Sequence, residues 1–231
     1  MTDILSNSSN LLHVSNFQEL ISTHFQGTTN AISWSRELKG DFEEIVNAFH
    51  FEGTMMEIDE EDLIELELSE AGRVARETIL SDFKLLSELG ASPVLNIISN
   101  YEADEHPFFP TDVYSFHVDR SPIATDTFLC TYYGDASELI PNEDAIQKIQ
   151  IPEIREKLVQ TYTGEEADFE AYLRENFFDL HYQALDDSKI IKAEISHLWR
   201  LAVDHPKSKV LPCVHRAPRE ESGKKRLLMI C

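Results

Sequence analysis

Apolar residues recur at spacings of three and four through the first third of the chain. Phe17, Leu20, Ile21 and Phe25 mark one face of a helix over residues 16–25, and Leu38, Phe42, Ile45, Val46 and Phe49 repeat the pattern over 35–49. The clearest helix is predicted over 69–89. Ser69 suits the N-cap, Glu70 the positive end of the helix dipole, and Gly90 the stop. Val74, Ile79, Leu86 and Leu89 are the side chains expected to bury its inner face. Between the helices, residues 53–58 read as a strand.

After Pro93 the texture changes to short β-branched runs punctuated by Gly and Pro. Strands are predicted at 94–98, 113–118 and 128–133. A helical stretch follows, strongest at 146–162 and 168–185. The last strands are expected at 209–215 and 226–230, joined by a turn at Glu220-Glu221-Ser222-Gly223, which would set the final strand antiparallel beside the one before it. No internal repeat and no linker composition divides the chain. A single α+β domain is expected: a helical part over 1–92, its helices packed outside a core over 93–231 that carries a helical insert at about 143–200.

Composition narrows the possible partners. A hydrophobic content of 42% is enough for a core, and no apolar run approaches the roughly 20 residues of a membrane span. Residues 1–10 are polar without a basic stretch, so no signal peptide is expected. The net charge of -22 argues against nucleic acid and anionic membranes, both of which call for a basic surface. The three cysteines, Cys130, Cys213 and Cys231, form no CxxC and suit a reducing compartment. A cytoplasmic protein is the expectation.

The chemistry centres on Tyr114-Ser115-Phe116-His117-Val118-Asp119. In a strand, residues i and i+2 share a face, so His117 and Asp119 would aim an imidazole and a carboxylate at one point. Two histidines and one carboxylate make the facial set that holds non-haem Fe(II). The match needs context, because His50-Phe51-Glu52 has the same spacing at the end of a helical pattern, where i and i+2 diverge. Context comes from His215 on a late strand and from Arg226 beyond it, whose planar fork suits a carboxylate. Tyr133 offers a phenol to the same carboxylate.

His117, Asp119, His215 and Arg226, in that order, resemble the 2-oxoglutarate/Fe(II)-dependent dioxygenase superfamily, and Tyr132-Tyr133 after the first pair resembles its prolyl-hydroxylase branch. That resemblance covers about residues 94–231. It implies a double-stranded β-helix (jelly roll), Fe(II) on His117, Asp119 and His215, and 2-oxoglutarate on Arg226 with Tyr133. Trp34-Ser35-Arg36, Leu129-Cys130-Thr131-Tyr132-Tyr133-Gly134, Val214-His215-Arg216-Ala217-Pro218, Gly223 and Arg226-Leu227-Leu228 further resemble an uncharacterised bacterial family, domain of unknown function 1826, over most of the chain.

The expected function is hydroxylation of a small-molecule or protein substrate, with no nucleic-acid or membrane partner and an open oligomeric state. Other readings stay open beside it. His117 and Asp119 would also make an ordinary buried hydrogen bond, His215 a surface pair with Arg216, Arg226 a counter-charge to nearby acids, and Tyr133 a core residue. Cys213, two residues before His215, would complete a zinc site with His117 and His215. A metal-binding jelly roll without catalysis is the alternative from another class. His106, His181, His197 and His205 have no convergent spacing.

Overall fold

The computed structural model describes residues 10–104, 106, 108–219 and 224–231. Its strands are β1 (Leu11–Val14), β2 (Ala31–Trp34), β3 (Met55–Ile58), β4 (Val94–Ile98), β5 (Phe116–His117), β6 (Asp126–Tyr133), β7 (Glu138–Ile140), β8 (Ala145–Gln147), β9 (His181–Ala184), β10 (Ile191–Lys192), β11 (Leu198–Ala202), β12 (Val214–Arg216) and β13 (Arg226–Ile230). The helices are α1 (Phe17–Ser22), α2 (Phe42–Ala48), α3 (Glu60–Glu65), α4 (Glu70–Glu88), α5 (Pro152–Thr161) and α6 (Phe169–Glu175). A seven-stranded sheet runs β1-β2-β11-β6-β13-β4-β3, and a six-stranded sheet runs β10-β7-β12-β5-β9-β8. Pairing is antiparallel except between β1 and β2. The protein is therefore α+β, with two sheets and few helices.

Strand alternation explains the layers. On β13, Leu227 and Met229 join Leu95, Ile97, Cys130 and Tyr132 in a core shared with the N-terminal helices, while Leu228 faces the other way. There it meets Ile98, Leu129, Trp199 and Leu201 of the larger sheet and Leu139 of the smaller one. The two sheets thus pack face to face, with helices on the outer side of the larger. From β4 onward the chain passes repeatedly between them, so that β4, β6, β11 and β13 lie in the larger sheet and β5, β7 and β12 in the smaller.

Helix α4 packs outside the larger sheet as expected, with Ser69 accepting from the Gly72 N–H. Ile79 and Leu86 are buried, but Val74 and Leu89 are about two-fifths exposed, and Ala75 and Phe83 take the inner face instead. The helix expected over 35–49 is confined to α2. Gly40 lies at φ 112°, where only glycine is comfortable, and a Cβ there would sit 2.4 Å from the Ala75 nitrogen. The chain is pinned against α4 at this point, and Asp41 caps the new helix by accepting from Glu44 N–H at 3.0 Å. The part over 1–92 is not purely helical either: β1 and β2 extend one edge of the larger sheet and β3 the other.

Three further expectations change. The strand over 113–118 shrinks to β5, because Asp112 Oδ1 accepts the N–H groups of Tyr114 and Ser115 and holds a turn there. The strand over 209–215 shrinks to β12 at its far end. The insert over 143–200 is helical only in its middle, since β8 and β9 pair across it with Ala145 opposite Ala184. Its helices carry their own core of Phe109, Ile149, Leu158, Phe169, Leu173 and Phe178. The turn at 220–223 lies outside the described residues.

One buried carboxylate ties α4 to the larger sheet. Asp82 accepts from Arg36 Nη1 at 2.7 Å, from Arg36 Nη2 at 2.5 Å and from the Tyr132 hydroxyl at 2.6 Å. Arg36 Nε also donates to the Ser196 carbonyl at 2.8 Å. Asp82→Ala leaves the guanidinium buried without its partner and is expected to lower unfolding free energy by about 3–5 kcal/mol, read from urea denaturation.

Candidate metal centre

The site begins with the pleat of three short strands. Strand β5 pairs with β12 on one side and β9 on the other, setting His215 opposite His117 and His117 opposite His181. Phe116, Val118 and Val214 turn to the outer face of the smaller sheet, where they cluster with Ile140 and Leu180. Alternation then sends His117, Asp119 and His215 to the inner face. Asp119 lies just past β5, but the extended pairing continues through it. Val118 N–H donates to Leu180 O at 3.0 Å, and Asp204 N–H donates to Asp119 O at 2.8 Å.

These three side chains converge. One ligating atom from each of His117, Asp119 and His215 lies within 4.8 Å of the others. His215 Nε2 is 3.7 Å from Asp119 Oδ2, and the two imidazole centroids are 4.6 Å apart. Two ligands each about 2.1 Å from one ion at a right angle sit roughly 3 Å apart, so a small closure brings the set to a cation.

The donors are oriented for that purpose. His117 Nδ1 is 2.8 Å from Ser115 O, and His215 Nδ1 is 3.1 Å from Cys213 O. A carbonyl oxygen only accepts, so each Nδ1 carries the proton and each Nε2 presents a lone pair. Asp119 Oδ2 accepts from the Thr127 hydroxyl at 2.5 Å, which fixes the carboxylate. Burial, aided by His215, pushes the His117 imidazole down to about 4. Burial works to raise Asp119, yet the His215 ring and the Thr127 hydroxyl outweigh it and hold the carboxyl low. Two imidazole Nε2 atoms turned toward a carboxylate suit a divalent cation.

Arg226 projects from the other sheet. It is 1% exposed, on the same side of β13 as Leu228, and its Nη2 donates to Thr131 Oγ1 at 3.0 Å and Ser137 Oγ at 2.7 Å. Its strand neighbours are β4 and β6, which corrects the expected pairing with the His215 strand, because the chain crosses to the larger sheet between β12 and β13. Gly134 makes the close passage possible. It sits at φ 86°, and a Cβ there would come 2.6 Å from Lys225 O.

Two expected contributors are elsewhere. The Tyr133 hydroxyl donates to Glu43 Oε1 at 2.8 Å, and its ring packs on the helix side of the larger sheet, away from the inter-sheet face. Cys213 is buried between the sheets but is not gathered into a ligand group among the described residues, and burial pushes its thiol up, so the zinc set of Cys213, His117 and His215 is not assembled. Thr127 and the Ser115 carbonyl support the three side chains, and His181, which has no convergent spacing in the sequence, stands beside His117. A hydroxyl eight residues from Asp119 carries no spacing signal, and only the alternation of His181-Tyr182-Gln183-Ala184 marks His181 as lying in a strand.

A cleft of about 710 Å³ opens onto His117 and Asp119, walled on one side by Arg174, Phe177, Leu180 and His181 from the insert. Against protein-family models, curated proteins and solved structures, the chain has no match. Among the described residues, no helix is long and apolar enough to cross a membrane. The site therefore speaks through its own geometry. His215→Ala is expected to abolish tight divalent-metal binding. Thr127→Val should weaken it about 10–100-fold, measured by competition with a chromogenic chelator.

Proposed function

We propose that this protein is an Fe(II)- and 2-oxoglutarate-dependent oxygenase built on a double-stranded β-helix. The observation that carries the reading is the convergence of His117, Asp119 and His215 on the inner face of one sheet, with Arg226 buried on the inner side of the facing sheet. The repeated passage of the chain between the sheets supports the β-helix, since that winding is what defines it. We also infer kinship with the bacterial domain family named above, because the shared residues include His215, Arg226 and Thr131, which hydrogen-bonds Arg226.

Fe(II) on such a set, together with 2-oxoglutarate and oxygen, supplies the oxidising power to hydroxylate a C–H bond. The chain supplies position and environment. The carbonyls of Ser115 and Cys213 hold the imidazoles, and Thr127 holds the carboxylate. Three protein donors would leave positions on the metal open to the co-substrate and oxygen. Arg226 offers a guanidinium of fixed orientation to the distal carboxylate of the co-substrate, in surroundings dry enough to strengthen that pairing. Thr131 and Ser137 steady the fork.

A metal-binding protein without turnover is the second reading. It is favoured by one fact: among the described residues, Arg226 does not line the 710 Å³ cleft. Fe(II)-loaded protein is expected to convert 2-oxoglutarate to succinate. Arg226→Ala should weaken 2-oxoglutarate binding on the order of a hundredfold with metal content unchanged, and Arg226→Lys should weaken it less, because the charge survives but the fork does not. Equal affinities of wild type and Arg226→Ala in isothermal titration would overturn the oxygenase.

A further inference from the structure

The metal centre uses two of three histidines that stand abreast. His215, His117 and His181 are cross-strand neighbours on β12, β5 and β9, and the His117 and His181 rings lie 5.9 Å apart. His181 is 5% exposed, and its Nδ1 is buried with no hydrogen-bond partner. An unpaired buried donor is costly, so a neutral ring in this position keeps its proton on Nε2. The same side chain is part of the wall of the cleft that contains His117 and Asp119. An N–H donor is thereby set beside the metal ligands with no acceptor among the described residues.

One cation in the cleft wall points the same way. Asp119 belongs to the metal set. Asp204 accepts from Arg120 Nε at 2.8 Å, and Arg120 also meets Asp179 at 2.5 Å. Asp112 accepts the N–H groups of Tyr114 and Ser115 and keeps its charge. Arg174, in the last turn of α6, makes no ion pair or side-chain hydrogen bond among the described residues. Arg174 is thus the one arginine of the wall without an ion pair among the described residues.

Phe177, three residues on, adds an apolar surface. Its backbone is left-handed at φ 60°, a conformation that costs a bulky residue free energy, and the side chain is 58% exposed in the cleft wall. Strain that presents an aromatic ring to an open cleft is explained by a ligand that covers it.

We propose that the cleft binds an apolar-bodied organic acid: its carboxylate pairs with Arg174, its body lies on Phe177, and an oxygen at its deep end accepts from His181 Nε2. This rests on the metal site proposed above for which end lies deepest. It names the substrate class of that site.

The test uses full-length protein loaded with Mn(II) and three probes: 6-hydroxy-2-naphthoate, its carboxamide, and 2-naphthoate. Wild type is expected to favour the hydroxy acid over each of the other two by about tenfold, the size of one charge-assisted or one buried hydrogen bond. Arg174→Gln should remove the preference for acid over amide and leave the hydroxyl preference. His181→Phe should remove the hydroxyl preference and leave the acid preference, and His181→Gln, which restores a donor, should recover part of it. Bound Mn(II) should shorten the relaxation of the probe's hydroxyl-side protons more than that of its carboxylate-side protons. Equal binding of acid and amide to wild type, or an acid preference unchanged in Arg174→Gln, would overturn the proposal. Metal content and 2-oxoglutarate turnover are measured on the same samples. Turnover without acid preference removes the acid and keeps the oxygenase, whereas acid preference without turnover removes the oxygenase and keeps the acid.

Discussion

Phe116, Val118 and Val214 are buried together on the outer face of the smaller sheet, and the geometry of the candidate metal centre follows from that burial. A strand has two faces and a period of two, so sinking these three apolar side chains leaves their neighbours a single direction. His117, Asp119 and His215 have to face the larger sheet. A slip of one residue in β5 would move the imidazole and the carboxylate outward and bring Phe116 and Val118 into the inter-sheet space. The hydrophobic cluster thus sets the register, and the register sets the chemistry. The hydrogen bonds from Ser115, Cys213 and Thr127 then refine orientation within a direction already chosen.

The larger sheet serves as the opposing wall, and its rigidity comes from the other side. The buried Asp82 carboxylate gathers Arg36 and Tyr132, linking α4, the segment after β2, and β6. Tyr132 is next to Thr131, whose side chain points the opposite way to meet Arg226. The helix layer and the inter-sheet layer therefore share β6, and a shift of α4 against the sheet would be felt at Arg226 through a single residue step.

Much of this was legible in the sequence. Helix α4, β4 and β13 announced themselves through long, clean periodicity and plain caps, and the pairing of His117 with Asp119 followed from strand parity alone. Other features needed three dimensions. Nothing local in Leu38 or Phe42 reveals that Gly40 must lie against Ala75, so the helix over 35–49 looked continuous. Strand parity sets Arg226 and Leu228 on one face, but nothing local shows that their strand lies between β4 and β6, because face is a local property and sheet membership is not. Tyr133 suited the co-substrate by residue type, yet the irregular pairing between Leu227 and Leu228 leaves its hydroxyl with Glu43. His181 was passed over because its meaning lies in register with His117, sixty-four positions earlier by number and one strand away in space.

The insert between β8 and β9 packs Leu158, Phe169, Leu173 and Phe178 around Phe109 of the segment before β5, in a core separate from the one between the sheets. Two tasks are thereby mounted on separately packed units. One holds His117, Asp119 and His215, and the other supplies the opposite wall of the cleft. Side chains such as Arg174 and Phe177 are free to change in size, charge or reach without disturbing the packing that orients His117 and His215. Strand β9 is the seam between the units, because it ends the insert and also pairs with β5. A lineage could therefore retune what enters the cleft while the His117, Asp119 and His215 cluster stays as it is, with the seam constrained by both.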